Sequence, residues 1–339
     1  MSLPPVEIPL GAMRFNSDSQ KLEYWNGEIW MQIHTFSPNL DGGARGIWAS
    51  GSFHTGSGQT AINIIEYVTI STAGNAVDFG DTVNKWKYNA GCASRTRGIT
   101  GGGIRNSDTT YQNTMEYLTI ASTGNTTDFG DLLSDNKVYP ASLSSATRGI
   151  WGGGGSSGSK INTIGYATIA SLGNCVDFGD ITQARSNSSG LSSPTRGIFA
   201  GGYTPTEVKT IDYITIATTG NAQDFGDQTQ GGQASAGSGS STRGLIWGSV
   251  VAPRNTIDYI TISTTGNAMD FGDSTLDLGY GNSCSSPIRS VRGGGQDGTA
   301  TNIIEYVSIA TQGDAVDFGD LSTIDHRACG TYSNGHGGL

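Results

Sequence analysis

The sequence predicts an all-β fold: a six-bladed β-propeller with four antiparallel strands per blade, preceded by a short N-terminal β-hairpin leader. Three observations carry that reading. One phrase recurs six times: Phe79, Phe129, Phe178, Phe225, Phe271 and Phe318 lie 50, 49, 47, 46 and 47 residues apart. Tyr67, Tyr117, Tyr166, Tyr213, Tyr259 and Tyr306 keep the same rhythm, and a period of this length marks a propeller or solenoid array. A tight turn such as Gly220-Asn221 joins the Tyr segment to the Phe segment, which suits antiparallel blades rather than parallel coils. Finally, a small-residue segment such as Ala90-Gly91-Cys92-Ala93-Ser94 precedes the repeated Arg. Wedge-shaped blades crowd at their axis, and small side chains fit an innermost strand there.

Each copy opens on an Arg: Arg45, Arg97, Arg148, Arg196, Arg243 and Arg289. One strand follows the Arg, a second surrounds the Tyr and a third runs into the Phe. The second, for example Tyr213-Ile214-Thr215-Ile216, is nearly continuously apolar, as a strand buried on both faces should be. After the last Phe, the segment from Arg327 to Gly335 aligns with the innermost strands but has no Arg strand after it. The first copy has only a poor innermost strand before Arg45. The C-terminus is therefore expected to supply that strand, closing the ring and removing exposed edges.

Residues 1–36 do not match the repeat and form the leader; residues 37–339 form the propeller. Strands are expected over Gly11–Asn16, Lys21–Trp25 and Glu28–Ile33, with Asn26-Gly27 as a two-residue hairpin turn. Three short strands cannot cover both of their faces. Phe15, Tyr24, Trp25, Trp30 and Met31 are accordingly the candidate attachment residues, meeting another protein or a further copy of the chain. Thr35 to Gly43 contains Pro38 and Gly42-Gly43 and reads as a hinge.

The charge balance narrows the partners. A net charge of −10 argues against nucleic acid and against an anionic membrane. No apolar run approaches a membrane span, and Met1-Ser2-Leu3-Pro4-Pro5 does not begin a signal peptide. Cys92 and Cys284 occupy equivalent places in different copies, so the four cysteines are expected to be free thiols.

Three constellations invite chemistry. The six Asp-Phe-Gly-Asp segments suggest calcium, which takes several oxygens, but the segments belong to separate blades. They read instead as turn caps paired with the repeated Arg. The Arg ring suggests an anion clamp, yet identical positions in every blade suit blade geometry better than one asymmetric ligand. His54 and His326, with Cys329 or His336, are the remaining candidate metal set. The expectation is no metal, no cofactor and no catalytic residue.

One side of the scaffold should differ from the other. The Gly-Asn turns are nearly identical, whereas the loops after the Arg strands and the blade-to-blade crossovers vary. That side carries the candidate binding residues Trp86, Tyr88, Arg105, Tyr111, Tyr139, Tyr203, Arg254 and Tyr280. A constant scaffold with one variable side is how loop-borne recognition is built; drift on an unconstrained surface leaves the same pattern.

Gly201-Gly202 after an apolar strand, then Tyr213, then Phe225, with Gln183-Ala184-Arg185 in the crossover, resembles the kelch repeat over residues 38–339. Phe stands where kelch has Trp, and the doublet decays to Gly248-Ser249 and Ser50-Gly51. That resemblance implies the fold and not the function. The repeated phrasing behind an Asn-containing, Trp-ending leader is also similar to repeat proteins of tailed phages of marine bacteria, in fibres and appendages. It implies a non-enzymatic virion structural protein, present in several copies and made in the host cytoplasm. The leader would bind other virion proteins, and the variable side a host glycan or surface protein. A free kelch-like adaptor and a carbohydrate-active propeller enzyme are the alternatives.

Overall fold

The computed structural model describes residues 8–16, 21–32, 44–55, 58–105, 111–133, 138–156, 159–297, 299–322 and 329–339. Among them every regular element is a strand and every sheet is antiparallel, an architecture consistent with a β-propeller. No helix of the described residues is long and apolar enough to cross a membrane. The chain forms two compact units, Met1–Gly42 and Gly43–Leu339.

The first unit holds a three-stranded sheet of Met13–Asn16, Lys21–Trp25 and Trp30–Gln32. Alternation sorts its side chains. Met13, Tyr24 and Met31 sit opposite one another, with Phe15 opposite Leu22, and all five are exposed. Glu23 points the other way and is buried, held by Arg14 at 2.9 Å, whose guanidinium lies 4.2 Å from the Trp30 ring centroid. The hairpin differs from the two-residue turn expected at Asn26-Gly27. Trp25 pairs with Trp30, so four residues turn the chain. The Asn26 side chain decides this by accepting the backbone N–H of Glu28 and of Ile29, an Asx turn.

In the second unit, five four-stranded sheets and one five-stranded sheet follow one plan among the described residues. The fourth shows it: Ser189–Ser192, Arg196–Ala200, Thr210–Thr215 and Gln223–Asp227, in that order across the sheet. In the first sheet, Gly330–Ser333 from the C-terminus takes the innermost place. It pairs with Arg45–Thr55, setting Tyr332 opposite Ile47. Gly58–Thr69 and Val77–Lys87 follow, and Ile104–Arg105 adds a fifth strand.

The Phe-Gly-Asp phrase is a bulge. Ile211 pairs with Gly226 and Asp212 with Asp224, so Phe225 is the extra residue, and its buried ring joins the core. Gly226 has a φ of +147°, and a Cβ there would lie 2.5 Å from the carbonyl oxygen of Gly266 in the next sheet. That closeness makes a clasp. Gly266 donates its N–H to Phe225 O, Ala268 to Asp227 O, and Asp227 to the Asn267 side chain. The bonds recur at the other joints, including Gly74 N to Phe318 O and Asp320 N to Asn75 Oδ1 between the sixth sheet and the first. Asp314 replaces the Asn once and accepts in the same way.

A second joint lies beside the clasp. Arg196 sits 4.4 Å from the centroid of Tyr213, which meets Phe225 edge-on. Its Nη1 then donates to Ile262 O in the next sheet, at 2.8 Å. The other five repeated arginines do the same. The expected Arg–Asp pairing is thus corrected: the guanidinium satisfies a carbonyl at a strand end, a neutral acceptor in a half-buried site.

Between the sheets lie apolar clusters. Leu143, Ile150, Ile164 and Phe178 of the third sheet meet Phe199, Ile214 and Ile216 of the fourth. Each such side chain contributes about 1.5–3 kcal/mol on burial. Against this core stand five buried carboxylates: Glu66, Glu116, Asp212, Asp258 and Glu305, each just before its Tyr. Each accepts from the preceding sheet, as when Thr229 donates its N–H and hydroxyl to Asp258. Burial holds the Asp258 carboxyl above the ordinary carboxylate range, against the pull of those two bonds. In the third sheet Gly165 takes the acid's place, and the facing residue is Leu133, whose Cβ lies 3.3 Å from where a Gly165 Cβ would be. Gly and Leu thus stand here where the joint between the fourth and fifth sheets has acid and hydroxyl.

That exchange is testable. Gly165→Asp alone buries a carboxylate without the hydroxyl donor that faces it elsewhere and should cost about 2–4 kcal/mol. Adding Leu133→Thr should restore at least about 1 kcal/mol as a coupling between the two changes. Denaturant midpoints of the four proteins check it, and strictly additive effects would contradict the pairing.

Candidate functional site

The crossovers assemble the candidate site. Tyr88, Tyr139, Asn187, Ala234 and Tyr280 occupy equivalent places, one per crossover, and all have left-handed φ between 53° and 66°. Such a conformation is uncommon for a side-chain-bearing residue. Backbone bonds over-determine it here: Tyr139 N–H donates to Tyr88 O, Asn187 to Tyr139 O, Ala234 to Asn187 O and Tyr280 to Ala234 O, at 2.9 to 3.1 Å. The Tyr88 and Tyr139 rings stack at 4.2 Å. Three of the candidate binding residues, Tyr88, Tyr139 and Tyr280, are therefore brought onto one chain of hydrogen bonds.

This chain rims a mouth of about 70 Å³, lined by Asn89, Tyr139, Pro140, Asn187, Tyr280 and Asn282 among others. A polar cavity of about 100 Å³ lined by all six innermost strands shares many of these residues. Those strands carry unpaired edge carbonyls, and their serines satisfy them. Ser142 donates to Gly91 O, Ser144 to Ala93 O, Ser192 to Ser144 O and Ser285 to Gly239 O, at 2.7 to 2.9 Å. The small-residue composition thus has a second cause besides crowding: a hydroxyl short enough to cap the neighbouring edge. Asn89 Oδ1, Ser235 Oγ and Ser283 Oγ are buried and have no hydrogen-bond partner among the described residues.

The C-terminal tail lies at the other ends of these strands. His336 Nε2 is 2.8 Å from Ala93 O and 3.1 Å from Ser144 Oγ, while Gly338 N–H donates to Nδ1. A ring that donates from Nε2 and accepts at Nδ1 is neutral. Burial pushes its pKa down to about 4, helped by the nearby charge of Arg95 and opposed by the bond to Ala93.

The other candidate residues lie apart. Arg105 is exposed and pairs with Trp86 in the strand that extends the first sheet. Tyr111 bridges Ile104 in the same loop. Tyr203 bridges Ser186, under the Lys160 ammonium at 4.9 Å. Arg254 donates its Nε to Val250 O. Trp86 was expected on the binding surface, but it is 3% exposed and its indole N–H donates to Glu116, so it is a packing element between the first two sheets. In the leader, Phe15, Tyr24 and Met31 are exposed, whereas Trp25 and Trp30 are half-buried with rings 5.5 Å apart.

Sequence reasoning missed the charged pairs of the interior. Arg185 and Asp212 meet at 2.9 Å with both side chains fully buried, and Arg292 meets Glu305 at 3.2 Å. The acid before the Tyr in five copies was a readable signal; the partner arginines have none. Among the described residues no group of His, Cys, Asp and Glu is placed to hold a metal. His326 and the side chain of His54 lie outside those residues. All four cysteines are free and buried. No protein-family model matches the chain, and no curated protein is similar to it in sequence.

The tail gives a pH prediction. Unfolded, His336 takes a proton near 6.5; folded, it does so only near 4. Between these values the unfolded chain binds more protons, so stability falls as pH drops from 6.5 towards 4 and levels off below. The shift corresponds to about 3 kcal/mol. His336→Gln should flatten this part of the profile. Denaturant titrations at pH 7 and 4.5 check it, and equal pH losses in both proteins would contradict the half-buried neutral ring.

Proposed function

We propose that the chain is a non-enzymatic structural protein of a virion appendage, a tail fibre or spike. Its second unit is a closed, kelch-like six-bladed propeller that serves as a binding scaffold. The repetition of the same joints supports closure: the sixth sheet is clasped to the first by the bonds that link the others, and the C-terminal strand pairs beside Arg45. Spending the repeated Arg, Tyr and Asn side chains on these joints suits a scaffold, in which one side is held constant while the other carries the variable loops.

The observation that carries the attachment role is the open face of the leader. Met13, Phe15, Leu22, Tyr24 and Met31 share one side of a three-stranded sheet, between 38% and 65% exposed, and among the described residues no further strand joins the sheet. Exposed apolar surface of this kind marks a docking site, and the outer strands of such a sheet offer backbone pairing to a partner. The leader is read as the anchor to other virion proteins or to further copies of the chain, and the variable side as the surface that meets a host glycan or protein.

Deleting residues 1–36 separates the two roles. The truncated protein should unfold in one transition at the midpoint of the full chain, and should remain a monomer by light scattering. Its incorporation into particles, or its assembly into oligomers, should be lost. Undiminished incorporation would contradict the anchor.

A further inference from the structure

We infer that the mouth rimmed by Tyr139 and Tyr280 is a site for one neutral sugar residue, taken up from the crossover side with its hydroxyls directed into the polar cavity. This rests on reading that side as the recognition surface and names what it recognises.

Three features of the site select this chemistry. The first is the absence of formal charge among the described lining residues. Asn89, Tyr139, Asn187, Tyr280 and Asn282 at the mouth are all neutral, and so are the Ser, Gly, Ala, Pro and Thr residues below them. A phosphate, sulfate or carboxylate would shed its hydration there with no cation among these lining residues to replace it, and an ammonium would meet no carboxylate among them. The ligand is polar but uncharged.

The second feature is the pairing of aromatic and amide groups. Tyr139 and Tyr280 line the mouth half-buried, with Tyr88 stacked behind Tyr139. A flat, rigid aromatic surface suits the C–H face of a pyranose, while amides and hydroxyls suit its rim of O–H groups. Sites for small ligands combine apolar walls with a few placed polar groups in this way.

The third feature points inward. Asn89 is 5% exposed, its Nδ2 donates to Ser50 Oγ at 2.6 Å, and its Oδ1, at the boundary of mouth and cavity, has no partner among the described residues. Ser235 Oγ is in the same position on the fifth sheet, and Ser283 Oγ lies deeper. An unsatisfied buried acceptor costs free energy and calls for a donor. A sugar hydroxyl donates and accepts at once, and a pyranose carries several around its ring, so different hydroxyls can answer the amide oxygen and the serines. The left-handed backbone of Tyr139 and Tyr280, fixed by bonds from neighbouring crossovers, holds the rings in place before any ligand arrives.

The test uses the full chain and saturation-transfer NMR with methyl α-glucoside, methyl β-galactoside and N-acetylglucosamine. N-acetylneuraminate and galactose 6-sulfate serve as anionic probes. At least one neutral sugar should bind saturably and more tightly than either anion. Tyr280→Gly and Tyr139→Gly keep the left-handed backbone accessible, and each should weaken that binding about tenfold. Ser283→Ala, deeper in the cavity, gives a milder second probe, and melting curves confirm that each variant folds. Saturable binding that survives both Tyr variants but is lost in an Arg105→Ala/Tyr111→Ala variant would overturn this site and leave the recognition side standing. Preference for an anion would overturn the chemistry, and no binding of any sugar would overturn both. None of these outcomes depends on the leader or on incorporation into a particle.

Discussion

The second unit depends on one contact: the backbone of a Gly-Asn turn laid against the Phe-Gly-Asp bulge of the sheet before it. Gly226 must be glycine twice over, for its φ and because the carbonyl of Gly266 lies where its Cβ would be. The same approach recurs between Gly80 and Gly124, Gly130 and Gly173, Gly179 and Gly220, Gly272 and Gly313, and Gly319 and Gly74. Two backbones that close exchange hydrogen bonds directly, which leaves little freedom in the angle between sheets. That fixed angle, repeated, is what a ring of blades requires. The Phe ring enters the core at the same bulge, so hydrophobic burial and backbone geometry are set by one three-residue phrase.

Once the outer joints are fixed, the inner strands are forced together and their composition follows. A Cβ on Gly190 would lie 2.1 Å from Ser142 O, and one on Gly237 would lie 2.7 Å from Gly190 O. Only Gly fits at those approaches. Where the spacing allows one more atom pair, Ser supplies a hydroxyl to the neighbouring carbonyl. The axial cavity is polar for this reason: it is walled by strand edges and by the short side chains that satisfy them. The run of five left-handed crossover residues is a consequence too, since the chain must turn sharply from an outer strand back to an inner one at each crossover.

Much of this was legible in the sequence, and the residues show where legibility stopped. The period, the strand order within a sheet and the innermost character of segments like Ala141–Ser144 could all be read from spacing and side-chain size. What spacing could not supply was the partner across copies. Arg196 and Asp227 share one copy, so pairing them looked natural, yet the arginine reaches Ile262 O and the N–H of Asp227 goes to Asn267. The buried acids were missed because Glu116 between Met115 and Tyr117 looks like the polar half of an alternation. Its true setting is a buried joint where Trp86, Thr126 and the N–H of Val83 all donate to it. Trp86 looked like a binding aromatic for the same reason: its burial depends on a neighbouring sheet. At the candidate site, Tyr88, Tyr139 and Tyr280 were found by their variability, while Asn89 and Ser235 were not, since nothing local distinguishes an unpartnered oxygen.

The central claim is that the sheets form one closed, mutually clasped ring, and removal of the C-terminal strand tests it most directly. Deleting residues 326–339 takes away the strand opposite Ile47 together with His336, while every sheet-to-sheet clasp stays in the chain. With closure essential, the edge of the Arg45 strand is exposed, and the protein should aggregate or lose its single cooperative unfolding transition. A truncated protein that stays monomeric and unfolds in one transition at the midpoint of the full chain would contradict the account.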